Sequence, residues 1–406
     1  QVCLVFCFER KRNMFVTKGV LLILGVTSAH PALSSSHFLN HYSEVVWTDW
    51  DQRQVCHPAA VVQPDSLPQL VDLVVDAASQ GLQVKVTGAG HSFSQITLTD
   101  PDFDGRAYMV NLDKLNSVIE FPSPDDMTVL VEAGIRVHEL NAALLAAAPG
   151  YALVNTGAIA MQSVAGATQT GTHGTGRELG SMSSQLVGLT LLLANGTMVD
   201  LSATQHPEVF DAARVGLGAL GIVVRARLSV VPAFKMKRVA MPYDLDQLLV
   251  DLPALNQQYE RLQWYWTPYT VHATLLLRIP VPIDTDVTGC WPGDVQRSQE
   301  LGINVTCIDW SFKTLCHEAD DATKYTEMEY FVPRENATAF VQDFRAFQAS
   351  VEDQSECKQD STLKGVGATP ECSLFAGIRY GKGDEMWMSQ MYQRDIAVLS
   401  MIVLGN

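Results

Sequence analysis

Positive charge is scarce in this sequence: 28 Lys and Arg stand against 44 Asp and Glu, for a formal net charge of -16. Surfaces that track a phosphate backbone gather Lys and Arg on one face, so nucleic acid is not an expected partner. A long apolar run is missing too. Gly19 to Val26 holds about eight apolar residues where a membrane-spanning helix needs roughly 20. No Cys-x-x-Cys spacing and no Cys/His cluster occurs, so no metal site is expected. Internal repeats and low-complexity tracts are absent as well, which argues against solenoid and disordered architectures. What is present is apolar material, 47% of 406 residues, enough for two domains of ordinary size.

Arg10, Lys11, Arg12 and Lys18 precede the apolar run, and small residues through Ala29 and Ala32 follow it. That order is the pattern of a cleaved signal peptide over residues 14–36, favoured over a membrane anchor by its length. Residues 1–13, ahead of Met14, read as upstream or artefactual sequence. The expected location is the secretory pathway, in the lumen or membrane of the endoplasmic reticulum or outside the cell. Past the signal come Cys56, Cys290, Cys307, Cys316, Cys357 and Cys372, an even set suited to disulfides, with the pairing open. Asn304-Val-Thr306 and Asn336-Ala-Thr338 fit glycan acceptors, whereas Asn195-Gly-Thr197 fits a hairpin turn.

Hydrophobic periodicity predicts strand Ala59 to Val62, helix Leu67 to Gln80 and strand Leu82 to Val86, running into Gly88-Ala-Gly90-His91-Ser92. Strands at Ala107 to Asn111 and Met127 to Glu132 and a helix from Val137 to Ala148 follow. Asn155 to Gly176 is dominated by Gly, Ala, Ser and Thr, the composition of backbone that something approaches closely. A hairpin, a polar helix near Glu208 to Ala213 and a strand from Ile222 to Val231 then lead to Pro232. The second half is expected to hold helix Leu245 to Tyr259, aromatic strands Gln263 to Trp266 and Ala273 to Ile279, and a loop-rich stretch over 282–324. Strand Glu327 to Val332, helix Asn336 to Val351 and strand Ser373 to Tyr380 complete it.

Gly216-Leu-Gly218-Ala-Leu-Gly221 matches the dinucleotide fingerprint in spacing but not in context. That fingerprint needs a strand before it and a helix after it, and here the order is reversed. A nicotinamide enzyme is therefore disfavoured. Gly88-Ala-Gly90-His91-Ser92 and Thr170-Gly-Thr-His-Gly-Thr-Gly176 carry more. Each interleaves glycines with hydroxyls, so backbone N–H groups and side-chain oxygens can converge on an anionic group.

Val86-Thr-Gly-Ala-Gly-His-Ser-Phe-Ser94, Val131-Glu-Ala-Gly-Ile135, Gln162 to Gly176 and Val215 to Ile222, in that order, strongly resemble the FAD domain of the aldonolactone oxidases. That group includes the gulonolactone, arabinonolactone and alditol oxidases within the vanillyl-alcohol-oxidase flavoprotein fold. Gln263-Trp-Tyr-Trp-Thr-Pro-Tyr269, Glu329 to Arg334 and Ile378-Arg379 resemble its substrate domain more loosely. The resemblance implies an α+β protein with a two-lobed FAD-binding domain over 55–234. A C-terminally truncated substrate (cap) domain with a mainly antiparallel sheet then covers 235–406.

It further implies FAD, with its pyrophosphate on Thr87, Gly88, Ala89, Gly90 and Ser92 and its ring bonded covalently to His91. Ser163, Gly166, Thr170, Thr172 and His173 would line the remainder, with Ile222 at the pyrimidine edge. Gly157, beside Ala158, would leave dioxygen a path to the flavin. Arg379 is the candidate catalytic residue, for substrate oxygen or for negative charge growing on the flavin; the plainer reading is a strand Arg paired with a carboxylate. His138 is expected on a helix surface. The sequence departs from the family at Gly377, where an acid two residues before Arg379 is expected, and it stops before the family's terminal His-Trp-Gly-Lys segment. The implied function is oxidation of an aldono-1,4-lactone by dioxygen, with an alditol or sugar oxidase, or a decayed flavin-binding protein, as alternatives.

Overall fold

A computed structural model describes residues 45–100, 105–268, 270–291, 293–316, 324–350 and 374–404. The expected signal segment, Cys357 and Cys372 lie outside the described residues.

The first strands and helix form where the sequence signals placed them. Strand β1 (Ala60–Val62), helix α1 (Leu67–Gln80), β2 (Gln83–Thr87) and β3 (Ala107–Asn111) make a parallel sheet of order β1-β3-β2. Leu70, Leu73, Val74 and Ala77 form the buried stripe of α1, spaced three and four apart as a helix packed on one face requires. Gly81, at φ 66°, ends it by turning its N–H back to Ala77 and Ala78. The loop after β2 is the His91 segment.

A second, antiparallel sheet contains β4 (Val118–Glu120), β5 (Thr128–Glu132), β6 (Leu186–Leu192), β7 (Met198–Ser202) and β8 (Ile222–Ser229), ordered β7-β6-β8-β5-β4. Helices α2 (Val137–Ala146), α3 (Val164–Gln169) and α4 (Pro207–Ala213) lie in its connections. Asn195-Gly196 makes the predicted hairpin turn, with Gly196 at φ 82°. Gly216 to Gly221 lies after α4 and before β8, the reverse of a dinucleotide fingerprint.

From residue 235 onward the protein is built on one seven-stranded antiparallel sheet. Its strands are β9 (Lys235–Asp244), β10 (Arg261–Trp266), β11 (His272–Val281), β12 (Val305–Trp310), β13 (Tyr325–Pro333), β14 (Leu374–Gly381) and β15 (Ile396–Leu404). The order is β12-β9-β11-β10-β14-β15-β13. Helices α5 (Leu245–Gln258) and α8 (Ala337–Ser350) cover one face, while α6 (Asp294–Leu301) and α7 (Ser311–Leu315) flank β12. The stretch expected to be loop-rich thus holds two helices and a strand, and Cys290 and Cys307 form a disulfide that ties the loop before α6 to β12. Among the described residues Cys56 is a buried free thiol.

Successive residues of a strand face opposite ways, so this sheet has two characters. Leu262, Trp264, Trp266, Leu275, Leu277, Ile378 and Leu399 point to one side and pack with Leu245, Leu248, Leu252 and Val341 of α5 and α8. Leu248 is fully buried there. Leu248→Ala should lower unfolding free energy by about 2–5 kcal/mol, read as a shift of the urea midpoint; an unchanged midpoint would mean that α5 does not anchor this core.

Candidate functional site

Ser163 is the hub of the glycine loops. Its hydroxyl caps α3 by accepting from the Gly166 N–H at 3.2 Å. A Cβ added to Gly88 would lie 2.4 Å from that same oxygen, so the His91 loop passes Ser163 with no room for a side chain. Thr170 donates to the Gly166 carbonyl at 3.1 Å, and Gly157 sits where a Cβ would come 2.4 Å from the Thr172 methyl. The loops carrying Gly88, Gly157, Ser163, Gly166, Thr170 and Thr172 therefore converge. Three buried oxygens in this region lack partners among the described residues: Thr87 Oγ1, Asn155 Oδ1 and Thr156 Oγ1. Unmade buried hydrogen bonds are costly, and a polar dinucleotide running over these loops would satisfy them. The residues fit FAD.

His91 is half-buried and stacks on Trp50 at 4.3 Å between ring centroids. Phe93 and Tyr325 complete the aromatic group, with Tyr325 6.0 Å from the imidazole. Tyr325 belongs to β13, so the His91 loop touches the cap sheet. Gly90 adopts φ 65°, a left-handed conformation that favours glycine. Ala89 and Ser92 flank these residues in the same loop, and Ser92 accepts from the Gln54 side chain through its carbonyl. Ile222 opens β8 opposite Leu192. The preceding turn reaches the loops through Leu217, whose N–H donates to the Gln169 carbonyl at 3.2 Å.

The second face of the cap sheet is polar, and it meets the Thr170 to Gly176 loop. Thr175 donates to the Leu262 carbonyl and accepts from the Tyr380 N–H, and Gln390 donates to the Thr170 carbonyl. Arg261, Gln263, Tyr265, Arg278, Arg379, Ser400, Glu327 and Glu329 share this face by strand alternation. A narrow cavity lies there, lined by Thr156, Ala158, Gly174, Thr175, Gln263, Arg278, Leu315 and Arg379.

Arg379 is buried, with Nη1 3.6 Å from Glu329 Oε1 and Nη2 3.9 Å from Glu327 Oε1. Glu329 also lies 3.2 Å from His173 Nε2 and accepts from Ser400 at 2.7 Å. Burial would raise the Glu329 carboxyl, but His173, Arg379 and Ser400 outweigh it and hold it down at about 2. For Glu327 burial wins over Arg379, and its carboxyl is raised. Burial opposes charge on Arg379, yet the two carboxylates raise it. The acid that the sequence lacks at 377 thus comes from β13: Gly377 pairs with Ser400, and Ser400 pairs with Glu329.

Sequence reasoning brought Arg379 to the site but missed Glu327, Glu329, Arg278, Tyr325 and Trp50. The pattern Tyr325-Thr-Glu327-Met-Glu329 carried the signal, since polar residues at alternate positions of a strand mark one face. His173 does more than border the loops, because it links them to Glu329. His138 is half-buried, with Nδ1 3.2 Å from the Ala160 carbonyl, rather than on the surface.

Residues 58–202 match the FAD binding domain family. A D-arabinono-1,4-lactone oxidase of Kluyveromyces lactis is 38% identical over 57% of this chain and 43% of its own length. An L-gulonolactone oxidase of Bos taurus is 34% identical over 58% of this chain and 51% of its own. The chain thus matches about half the length of these relatives. An L-gulono-1,4-lactone dehydrogenase of Mycobacterium tuberculosis is 31% identical over 73% of this chain and 72% of its own length. Among solved structures, cholesterol oxidase from Brevibacterium sterolicum superimposes with a TM-score of 0.69 at 15% identity, covering 93% of this chain and 83% of that one. The likeness shows the α+β fold in two domains.

A carboxyl held at about 2 in the folded protein and near 4.5 otherwise contributes stability that is complete above 4.5 and lost as the pH falls toward 2. Glu329→Gln should therefore flatten the acid limb of stability across that window. Urea midpoints collected from pH 5 downward test this, and a variant whose acid limb stays as steep as the parent's refutes the ion-pair assignment.

Proposed function

The chain belongs to the aldonolactone oxidase family of FAD flavoproteins, and on that footing we propose that it oxidises a sugar-derived aldono-1,4-lactone, such as L-gulono-1,4-lactone, using dioxygen. FAD, held by the loops that carry Gly88, Gly157, Ser163, Gly166 and Thr170, would supply the two-electron oxidation chemistry. Overall a CH–OH becomes C=O while O2 becomes H2O2, and an ascorbate-type product results. The observation that carries this reading is Arg379, fixed between Glu327 and Glu329 in a cavity bordered by Thr156, Ala158, Gly174 and Thr175.

Arg379 would hold the substrate oxygen. Glu327 is the better acceptor for the hydroxyl proton, because an efficient base has a pKa near the working pH and Glu329 is held far below it. Among the described residues Glu327 Oε1 accepts no hydrogen bond, and Arg379 Nη2 lies 3.9 Å from it. The presence of this acid on β13 weighs against a decayed site despite Gly377. An alditol oxidase on the same scaffold is the second reading, supported by the hydrogen-bonding side chains of Gln263 and Thr175 in the cavity. His91 would tether the cofactor, and entry through the secretory pathway remains the proposed location.

Three experiments check this. Flavin in the parent should survive acid precipitation with the protein, and His91→Ala should release it; colourless parent protein would sink the cofactor reading. Peroxide release with L-gulono-1,4-lactone and with xylitol separates the two substrate readings. Gly157→Ala must displace Thr172, whose methyl lies 2.4 Å from the new Cβ, and should slow reoxidation by dioxygen about tenfold while substrate still bleaches the flavin.

A further inference from the structure

Three arginines stand side by side on the polar face of the cap sheet. Arg278 of β11 pairs directly with Arg261 of β10 and with Arg238 of β9. All three are buried, at 8%, 6% and 3% exposure. Like charges directly opposite one another repel, and each buried guanidinium needs a counter-charge or a full set of acceptors. Arg238 has one, Asp294, at 2.6 Å. Arg261 gives its Nη2 to the Val154 carbonyl and lies over the Phe234 ring. Arg278 has only two neutral acceptors, the Thr314 carbonyl at 2.7 Å and Gln263 Oε1 at 3.1 Å. Among the described residues no carboxylate pairs with it.

Arg278 also opens onto the cavity that Arg379 lines. The two carboxylates near that cavity, Glu327 and Glu329, flank Arg379. Burial, helped by Arg238, Arg379 and Arg261, pushes the Arg278 guanidinium down to about 10, so it stays charged at neutral pH. The cavity therefore presents an uncompensated cation to whatever enters it. A neutral lactone leaves that charge uncountered, whereas a carboxylate meets a guanidinium with two parallel charge-assisted hydrogen bonds.

We infer that the cavity accepts a polyhydroxy acid, an open-chain aldonate or a uronate, with its carboxylate on Arg278 and its carbinol end toward Arg379. This rests on the reading of the site as that of a sugar-oxidising flavoprotein and extends its substrate class from the neutral lactone to the sugar acid. The oxidation is unchanged in balance, one CH–OH converted to C=O as O2 becomes H2O2, with the carboxylate a spectator.

The test uses the flavin-loaded protein and two ligands that lack a carbinol, tetrahydrofuran-2-carboxylate and γ-butyrolactone, titrated calorimetrically. The carboxylate should bind about tenfold more tightly than the lactone. Arg278→Gln should abolish the preference and Arg278→Lys should keep part of it. Gln263→Glu, which sets an internal carboxylate beside Arg278 without changing side-chain length, should abolish it too, and this covers the case in which Arg278→Gln fails to fold. Equal or tighter binding of γ-butyrolactone, or a preference that survives both Gln263→Glu and Arg278→Gln, overturns the proposal. So does a lowered flavin reduction potential in Arg278→Gln with carboxylate binding intact, since the charge would then serve the cofactor. Peroxide from lactone without a carboxylate preference leaves the oxidase reading standing and this inference refuted. Binding preference without peroxide from lactone, alditol or sugar acid does the reverse.

Discussion

Charge buried on one face of a β-sheet is the constraint on which the rest of this protein depends. The cap sheet packs Trp264, Trp266, Leu275 and Leu399 against α5 and α8 on one side. Strand alternation then forces their neighbours, Gln263, Tyr265, Thr274 and Ser400, to the other. If that second face met water it would need no explanation. Here it is covered by the glycine loops and, toward β9, by α6 and α7, so Arg238, Arg261, Arg278 and Arg379 are all buried. Solvent-screened surface pairs contribute little, but a pair withdrawn from water must be matched closely or it destabilises the fold. Arg379 meets that requirement through Glu327 and Glu329, and Arg238 through Asp294.

The glycine loops solve a different problem, that of approach. Gly88 passes Ser163 without space for a Cβ, and Gly174 would place one 2.3 Å from the Thr156 carbonyl. These contacts bring hydroxyls and backbone N–H groups within reach of one long ligand. The two halves of the molecule are joined at both ends of β13. Tyr325 packs against the ring of His91, and Glu329 lies beside His173 two turns of the pleat further along. One strand of the cap thus registers against both loops. Its middle residue on that face, Glu327, looks between them.

The first half was legible because its signals are local. The stripe in α1, the terminating Gly81 and the Asn195-Gly196 turn each fix structure within a few residues, and the observed bounds of α1 coincide with the predicted ones. The second half was less legible because its determinants are cross-strand. Lys235 to Asp244 begins with alternating charged and apolar residues, and its burial comes from pairing with β11 and β12. Ile396 to Leu404 runs almost continuously apolar, as fits a strand with neighbours on both edges. The region over 282–324 holds α6, β12 and α7, elements too short for periodicity to show clearly. The even cysteine count could not choose a pairing, and the structure supplies one, Cys290 with Cys307, through the register of β12.

The absent acid at Gly377 shows why register matters more than sequence distance at this site. A Cβ at 377 would lie 3.3 Å from the Tyr265 ring, so tyrosine on β10 already fills the space above that position. Gly377 and Tyr265 are direct partners, as are Gly377 and Ser400, and Ser400 and Glu329. These four residues form one row across four strands, and the row ends in a carboxylate. Its negative charge lies 3.6 Å from Arg379, although the two residues are 50 positions apart in the chain. A sheet can therefore supply the same arginine with an acid from its own strand or from one two strands away. The choice decides which space beside the arginine is left open, and here that space lies toward Gln263 and Arg278.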